Sequence, residues 1–156
     1  MILAIEWAHP IILRDAGREE NVIYKLDDLK LPDAAGVYIF GRQFSKDFEA
    51  LYVGKAGSIR GRVRNHLKNN LSLMLHLQKA KSGKRVLLFG RFISKPGQQE
   101  DKCLRLLERA LLRYFLSEGH DLVNKQGRRL DRHEITSKNP RWRVPRLMFV
   151  DRARGE

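Results

Sequence analysis

Glu108 is the residue in this chain hardest to explain as scaffold. It sits in "CLRLLERALLRYFL" (103–116). On a helical wheel of 100° per residue, Leu104, Leu111, Leu112 and Phe115 all fall within about 60° of it. Lys102, Arg105, Arg109 and Arg113 form a basic stripe to one side. A carboxylate on an apolar helix face must be paired, protonated or bound to a cation, because an isolated buried charge costs several kcal/mol. Two readings follow: a structural ion pair with an arginine, or an oxygen ligand for a hard divalent cation such as Mg²⁺.

A second set lies upstream. Arg62 and His66 are four residues apart on a helix whose apolar stripe is Ile59, Val63 and Leu67. That spacing projects them together from the edge of the packed face. Arginine suits a bidentate grip on phosphate, and histidine can hydrogen-bond or move protons near neutral pH. The bland reading makes Arg62 a solvated cation and His66 a surface residue. Tyr38 and Tyr52 each stand in a strand next to a glycine, where core packing is the ordinary role of a tyrosine. Lys55 follows Gly54 at a strand end, where a loop can present it to a ligand. Gly36, Gly54 and Gly57 read as turn residues.

Charge narrows the partner. The 156 residues carry a formal +13, distributed as −3 over 1–49, +11 over 50–99, −1 over 100–124 and +6 over 125–156. From Ala50 to Gln99 there are eleven Lys and Arg and no Asp or Glu. A one-sided positive field attracts a polyanion, and nucleic acid is the leading candidate. Arg60, Arg64 and Lys68 on the Arg62 helix, with Arg105 and Arg109 of the later basic stripe, are the expected backbone contacts. Arg141, beside Trp142 in the basic tail, joins them, since basic residues interleaved with an aromatic can track a strand or stack on a base.

The elements that must position these groups are short. "LAIEWAHPIIL" and "NVIYKL" are β-rich, "GVYIFGR" (36–42) and "ALYVGK" (50–55) are strands joined by the loop "QFSKDFE", and "RVLLFGRFI" (85–93) is a third core strand. Ser58 caps the first helix, 71–81 forms a second, and roughly 98–118 a long third stopped by Gly119. The pattern predicts an α+β fold with a small three-stranded core sheet flanked by helices. An N-terminal β-rich extension (1–33) precedes the core (34–124), and a basic C-terminal extension (125–156) follows, with 146–150 expected to close on the core. No run approaches the length of a membrane span, the N-terminus lacks the features of a signal peptide, and Cys103 is the only cysteine. These features predict a cytoplasmic protein without membrane association. They also disfavour zinc, because His9, His66, His76, His120 and His133 show no ligand spacing.

Taken in order, "GVY" (36–38), "YVG" (52–54), Lys55, a basic helix with Arg62 and His66, then Glu108 and Asn124, resemble the GIY-YIG nuclease family. The YVGKA stretch before a basic helix is also similar to the nuclease domain of the bacterial excision-repair incision subunit. Both tripeptides carry Val where the family name has Ile. His66 stands where the excision-repair relatives usually have tyrosine, nearer to the restriction and homing branches. The resemblance covers roughly 34–124 and implies the family's sheet and Mg²⁺- or Mn²⁺-dependent hydrolysis of phosphodiesters in DNA, RNA being the other substrate class left open. It implies that Tyr38 or Tyr52, with Tyr38 preferred, orients or deprotonates the attacking water, and that Lys55 lowers the tyrosine pKa or contacts phosphate. Arg62 would hold the phosphorane, His66 assist the proton relay, Glu108 bind the metal and Asn124 hold the site together. The competing reading is a catalytically silent nucleic-acid-binding module of the same fold.

Overall fold

Seven consecutive residues, from Gly36 to Arg42, are buried, the pattern of a strand covered on both faces. The computed structural model describes residues 1–17, 22–123, 130–139, 141 and 147–153. Its strands are β1 (Ala4–Trp7), β2 (Ile11–Ile12), β3 (Arg14–Asp15), β4 (Tyr24–Lys25), β5 (Gly36–Phe44), β6 (Asp47–Ala56), β7 (Lys84–Ile93), β8 (Leu130–Thr136) and β9 (Leu147–Ala153). Its helices are α1 (Ile59–Asn69), α2 (Leu71–Lys79) and α3 (Glu100–Ser117). The fold is α+β, and every strand pairing is antiparallel.

The three expected core strands form the order β7-β5-β6, yet the sheet is not three-stranded. β1 pairs with the second half of β7 and β2 with its first half, making five strands. The reason lies in β7, whose outer edge would otherwise expose a row of unpaired backbone groups on ten residues. The loop expected between the first two strands is also absent. β5 and β6 run through "QFSKDFE" to a two-residue turn at Ser45 and Lys46, with Ser45 at φ 54°. A β-bulge falls between Phe40/Tyr52 and Gly41/Ala50, so Leu51 has no opposite residue.

Strand alternation sends β5 side chains to two cores. Tyr38 and Phe40 pack with Ile59, Val63 and Leu67 of α1 and Leu73, Met74 and Leu77 of α2. Val37 and Ile39 face Leu104, Leu107 and Leu112 of α3. The helices therefore lie on opposite faces of the sheet. Ser58 caps α1 as expected, its Oγ accepting from the Gly61 N–H at 3.2 Å. Of the segment 146–150 expected to close on the core, residue 146 lies outside the described residues, and 147–150 fall in β9, which pairs with β8 in a separate two-stranded ribbon and lies against α3. No helix among the described residues is long and apolar enough to cross a membrane.

Gly36 occupies the tightest point between strands. A Cβ there would lie 2.1 Å from the Gly90 carbonyl oxygen and 2.7 Å from the Ile59 side chain. Backbone cannot yield as a side-chain tip can, so Gly36→Ala is expected to destabilise the fold by about 1–3 kcal/mol. Urea unfolding checks this, and an unchanged midpoint would show that the strands separate freely there.

Candidate active site

Tyr38 and Gly54 are directly opposed across β5 and β6. A Cβ at position 54 would stand 2.4 Å from both Cζ and the hydroxyl oxygen of Tyr38, so the glycine is the floor on which the phenol rests. It serves no turn. Tyr52, just past the bulge, is opposed to Phe40, and its ring stacks on Tyr38 with centroids 6.2 Å apart. "GVY" and "YVG" are thus two halves of one aromatic layer.

Helix α1 closes that layer from above. Two polar side chains are buried among the described residues, Arg42 and His66. Arg42 is structural: it pairs with its cross-strand neighbour Glu49 at 2.9 Å, donates to the Ser82 carbonyl at 2.8 Å and covers the Phe44 ring. His66 stands in the aromatic cluster, within 5.5 Å of the Tyr38 centroid and 5.3 Å of that of Tyr52. Its Nε2 is 2.7 Å from the Tyr38 hydroxyl. Its Nδ1 is 3.0 Å from the Asn70 Nδ2. The reading of His66 as a surface residue is therefore overturned, because α1 packs with 63, 66 and 67 inward.

Arg62 is exposed on the same helix, and its charge reaches the whole cluster. It favours the phenolates of Tyr38 and Tyr52 and opposes protonation of His66. Glu108, half-buried on α3, acts on both phenols with the opposite sign. The structure thus gathers Tyr38, Tyr52, Arg62, His66 and Glu108 from four elements. β6, an outer strand of the sheet, carries Tyr52 on the α1 side while α3 brings Glu108 from the other.

Net effects differ from the sequence expectation. Burial, aided by the negative charge a Tyr52 phenolate would carry, raises the Tyr38 pKa well above its usual value despite Arg62. Burial also raises Tyr52, but a hydrogen bond from Tyr38 works the other way there. Within the protein alone, then, neither tyrosine is activated, because desolvation of the phenolate outweighs a single exposed guanidinium. Lys55 gives no help. Val53 and Lys55 point to the α3 face, where the Lys55 ammonium lies 3.9 Å from Asp101.

The expected nucleic-acid contacts are partly engaged within the chain. Arg60 donates from Nε to the Leu31 carbonyl at 2.8 Å, Arg64 is ion-paired with Asp28, and Arg105 with Asp101. Lys68, Arg109 and Arg141 are exposed. Asn124 and Trp142 lie outside the described residues. Two clefts of about 840 and 420 Å³ adjoin β1 and β2, the smaller lined by Trp7, Lys30, Arg60 and Arg91. Asn70 was not singled out by sequence, although an Asn between two helical runs is a cap signal that points to it.

Among the described residues, no group of three or more His, Cys, Asp or Glu stands together to hold a metal. The half-buried carboxylate of Glu108, whose charge acts on both phenols, nonetheless fits a cation such as Mg²⁺ that keeps several waters and takes phosphate oxygens. No family model, curated protein or solved structure matches this chain.

Burial, with a contribution from Arg62, pushes the His66 pKa down to about 4. Between that value and the ordinary 6.5, the unfolded chain holds more protons than the folded one, so stability rises with pH there. The protein is expected to lose up to about 3 kcal/mol from this group as pH falls from 6.5 through 4. His66→Gln should flatten that part of the curve. Denaturant midpoints of the two proteins across this range decide, and parallel curves would contradict a buried neutral imidazole.

Proposed function

We propose that this chain is a metal-dependent endonuclease of GIY-YIG type that hydrolyses phosphodiester bonds in DNA. The observation that carries the reading is the convergence of Tyr38, Tyr52, Arg62, His66 and Glu108 on one part of β6, from residues as far apart in sequence as 38 and 108. The fifty-residue stretch without a carboxylate adds to it, since that segment carries β6 from Ala50 onward, α1 and three of the five cluster residues.

Hydrolysis of a phosphodiester needs an oriented water, cationic stabilisation of the phosphorane and help for the leaving alkoxide. Arg62, exposed at the rim, is placed to receive a phosphate and hold the charge that develops on it. Glu108 would hold a Mg²⁺ or Mn²⁺, which when bound supplies Lewis acidity and a further positive field at the phosphate. Tyr52 is less enclosed than Tyr38 and is the phenol favoured by its neighbour's hydrogen bond. We assign it, rather than Tyr38, to the attacking water. Tyr38, held by His66, orients it.

A catalytically silent binding module draws on one observation, the raised pKa of both phenols. The same experiment separates the two. With supercoiled plasmid and Mg²⁺, wild type is expected to cut and EDTA to stop it. Glu108→Ala should abolish cutting while DNA affinity is kept or rises, because a negative charge leaves the site. Cleavage that survives this change would remove Glu108 from the reaction, and wild-type binding without cutting on plasmid, branched and single-stranded substrates would favour the silent module. Arg62→Ala is expected to cost roughly 2–4 kcal/mol of transition-state stabilisation in single-turnover kinetics. An unchanged rate would reduce Arg62 to a surface cation.

A further inference from the structure

His66 has two ring nitrogens in hydrogen-bond contact, and which of them carries the proton follows from a residue outside the cluster. Asn70 joins α1 to α2. Its backbone N–H donates to the His66 carbonyl at 3.1 Å, ending α1. Its side-chain Oδ1 accepts from the Leu73 N–H at 3.1 Å, capping α2. That cap settles the orientation of the amide, because the Nδ2 end has no lone pair to offer an N–H. With Oδ1 committed to α2, Nδ2 must be the end that meets His66 Nδ1 at 3.0 Å. An amide NH₂ is a donor only, so Nδ1 is the acceptor and is unprotonated. The proton of a neutral imidazole is then on Nε2, 2.7 Å from the Tyr38 oxygen.

We propose that Asn70 is a positioning residue whose amide locks His66 in the Nε2–H tautomer, making His66 the donor to Tyr38 and leaving the Tyr38 hydroxyl proton to turn toward Tyr52. Donation then runs one way, from Asn70 through His66 and Tyr38 to Tyr52. The rings involved are in contact throughout, with Tyr38 buried and Tyr52 stacked on it at 6.2 Å. Tyr38 cannot pass its proton to His66 in this tautomer, since Nε2 has no free lone pair. The chain of donors ends on Tyr52 oxygen, the phenol nearest to solvent, which is where a negative charge or an approaching water is met by a preorganised donor. The catalytic meaning of this lock rests on the nuclease reading; the tautomer itself does not.

The test uses the full chain without substrate. Long-range proton–nitrogen correlation spectra of ¹⁵N-labelled protein at neutral pH report the protonation of each ring nitrogen, with His66→Gln supplying the assignment. Wild type is expected to show His66 with a protonated Nε2 and a bare Nδ1. Asn70→Asp keeps an acceptor for the Leu73 N–H, since Asp caps as well as Asn. It has no donor for Nδ1, so His66 is expected to gain a proton there. A purely structural role for Asn70 would leave the tautomer as it was. A protonated Nδ1 in wild type overturns the proposal without any variant, and an unaltered tautomer in Asn70→Asp overturns it too.

Plasmid cleavage by the same proteins separates this inference from the one it rests on. Asn70→Asp is expected to lower the cleavage rate on the order of 10- to 100-fold with DNA affinity held, the scale seen when a histidine's orienting partner is lost. An inverted tautomer with an unchanged rate would overturn the positioning role. An uncut plasmid with wild type would overturn the nuclease reading and leave the Nε2–H lock standing.

Discussion

The bond between Tyr38 Oη and His66 Nε2 is the constraint around which the candidate site is built. At 2.7 Å and out of water, it ties the central strand of the sheet to the last turn of α1. Breaking it would leave a buried hydroxyl and a buried imidazole N–H without each other, each costing about 1–3 kcal/mol. Several features of the sequence answer to it. Gly54 lacks a side chain so that the phenol can lie across β6, and the bulge at Leu51 sets Tyr52 beside it. Asn70 ends α1 one turn after His66 and fixes the far side of the imidazole. The three aromatic rings and the imidazole then pack edge to face, tilted or stacked, at centroid separations between 5.3 and 6.4 Å.

Charge is kept at the margin of this assembly. The interior partners are all neutral: burial holds His66 unprotonated and both phenols protonated. The formal charges stand outside, Arg62 on exposed α1 surface and Glu108 half-buried on α3. A neutral hydrogen-bonded interior with one cation and one carboxylate at its rim has little drive to ionise by itself. In the proposed function, a phosphate and a divalent cation would bring charge to the rim, and preorganised donors act most strongly on charge that develops nearby. The many other basic residues have a broader part. Arg64 and Arg105 are already ion-paired, so in the proposed function the long-range field, rather than any one of them, would attract the polyanion.

Much of the core was legible from local pattern. The order strand, strand, helix, helix, strand, helix appears as read, and Ser58 and Gly119 fall at element ends. The extra strands were harder. β1 and β2 are β-rich in composition, yet nothing local says that they pair with β7, since sheet partners are set by edges that the sequence does not display. "QFSKDFE" read as a loop because of its polar residues, whereas β5 and β6 continue through it, with its polar side chains at the far end of the hairpin. At the site, residue types and order were enough to nominate Tyr38, Tyr52, Arg62, His66 and Glu108. Strand alternation sends Lys55 to the face opposite Tyr52, where it lies near Asp101 of α3. Gly54 reads as a turn residue because it acts through a contact with one specific side chain rather than through a local preference, and the cap signal at Asn70 does not show its second contact, with His66.

The central claim is that these five side chains form one centre for a phosphate and a divalent cation. Paramagnetic Mn²⁺, titrated into the full chain with a non-cleavable phosphorothioate DNA, tests it most directly by NMR. Signals of Glu108, Tyr52 and Arg62 should broaden first and together, at a lower Mn²⁺ concentration than those of exposed carboxylates such as Asp47 and Glu118. Broadening that begins at those remote carboxylates, and reaches Glu108 and Tyr52 no sooner than the rest of the surface, would contradict the account.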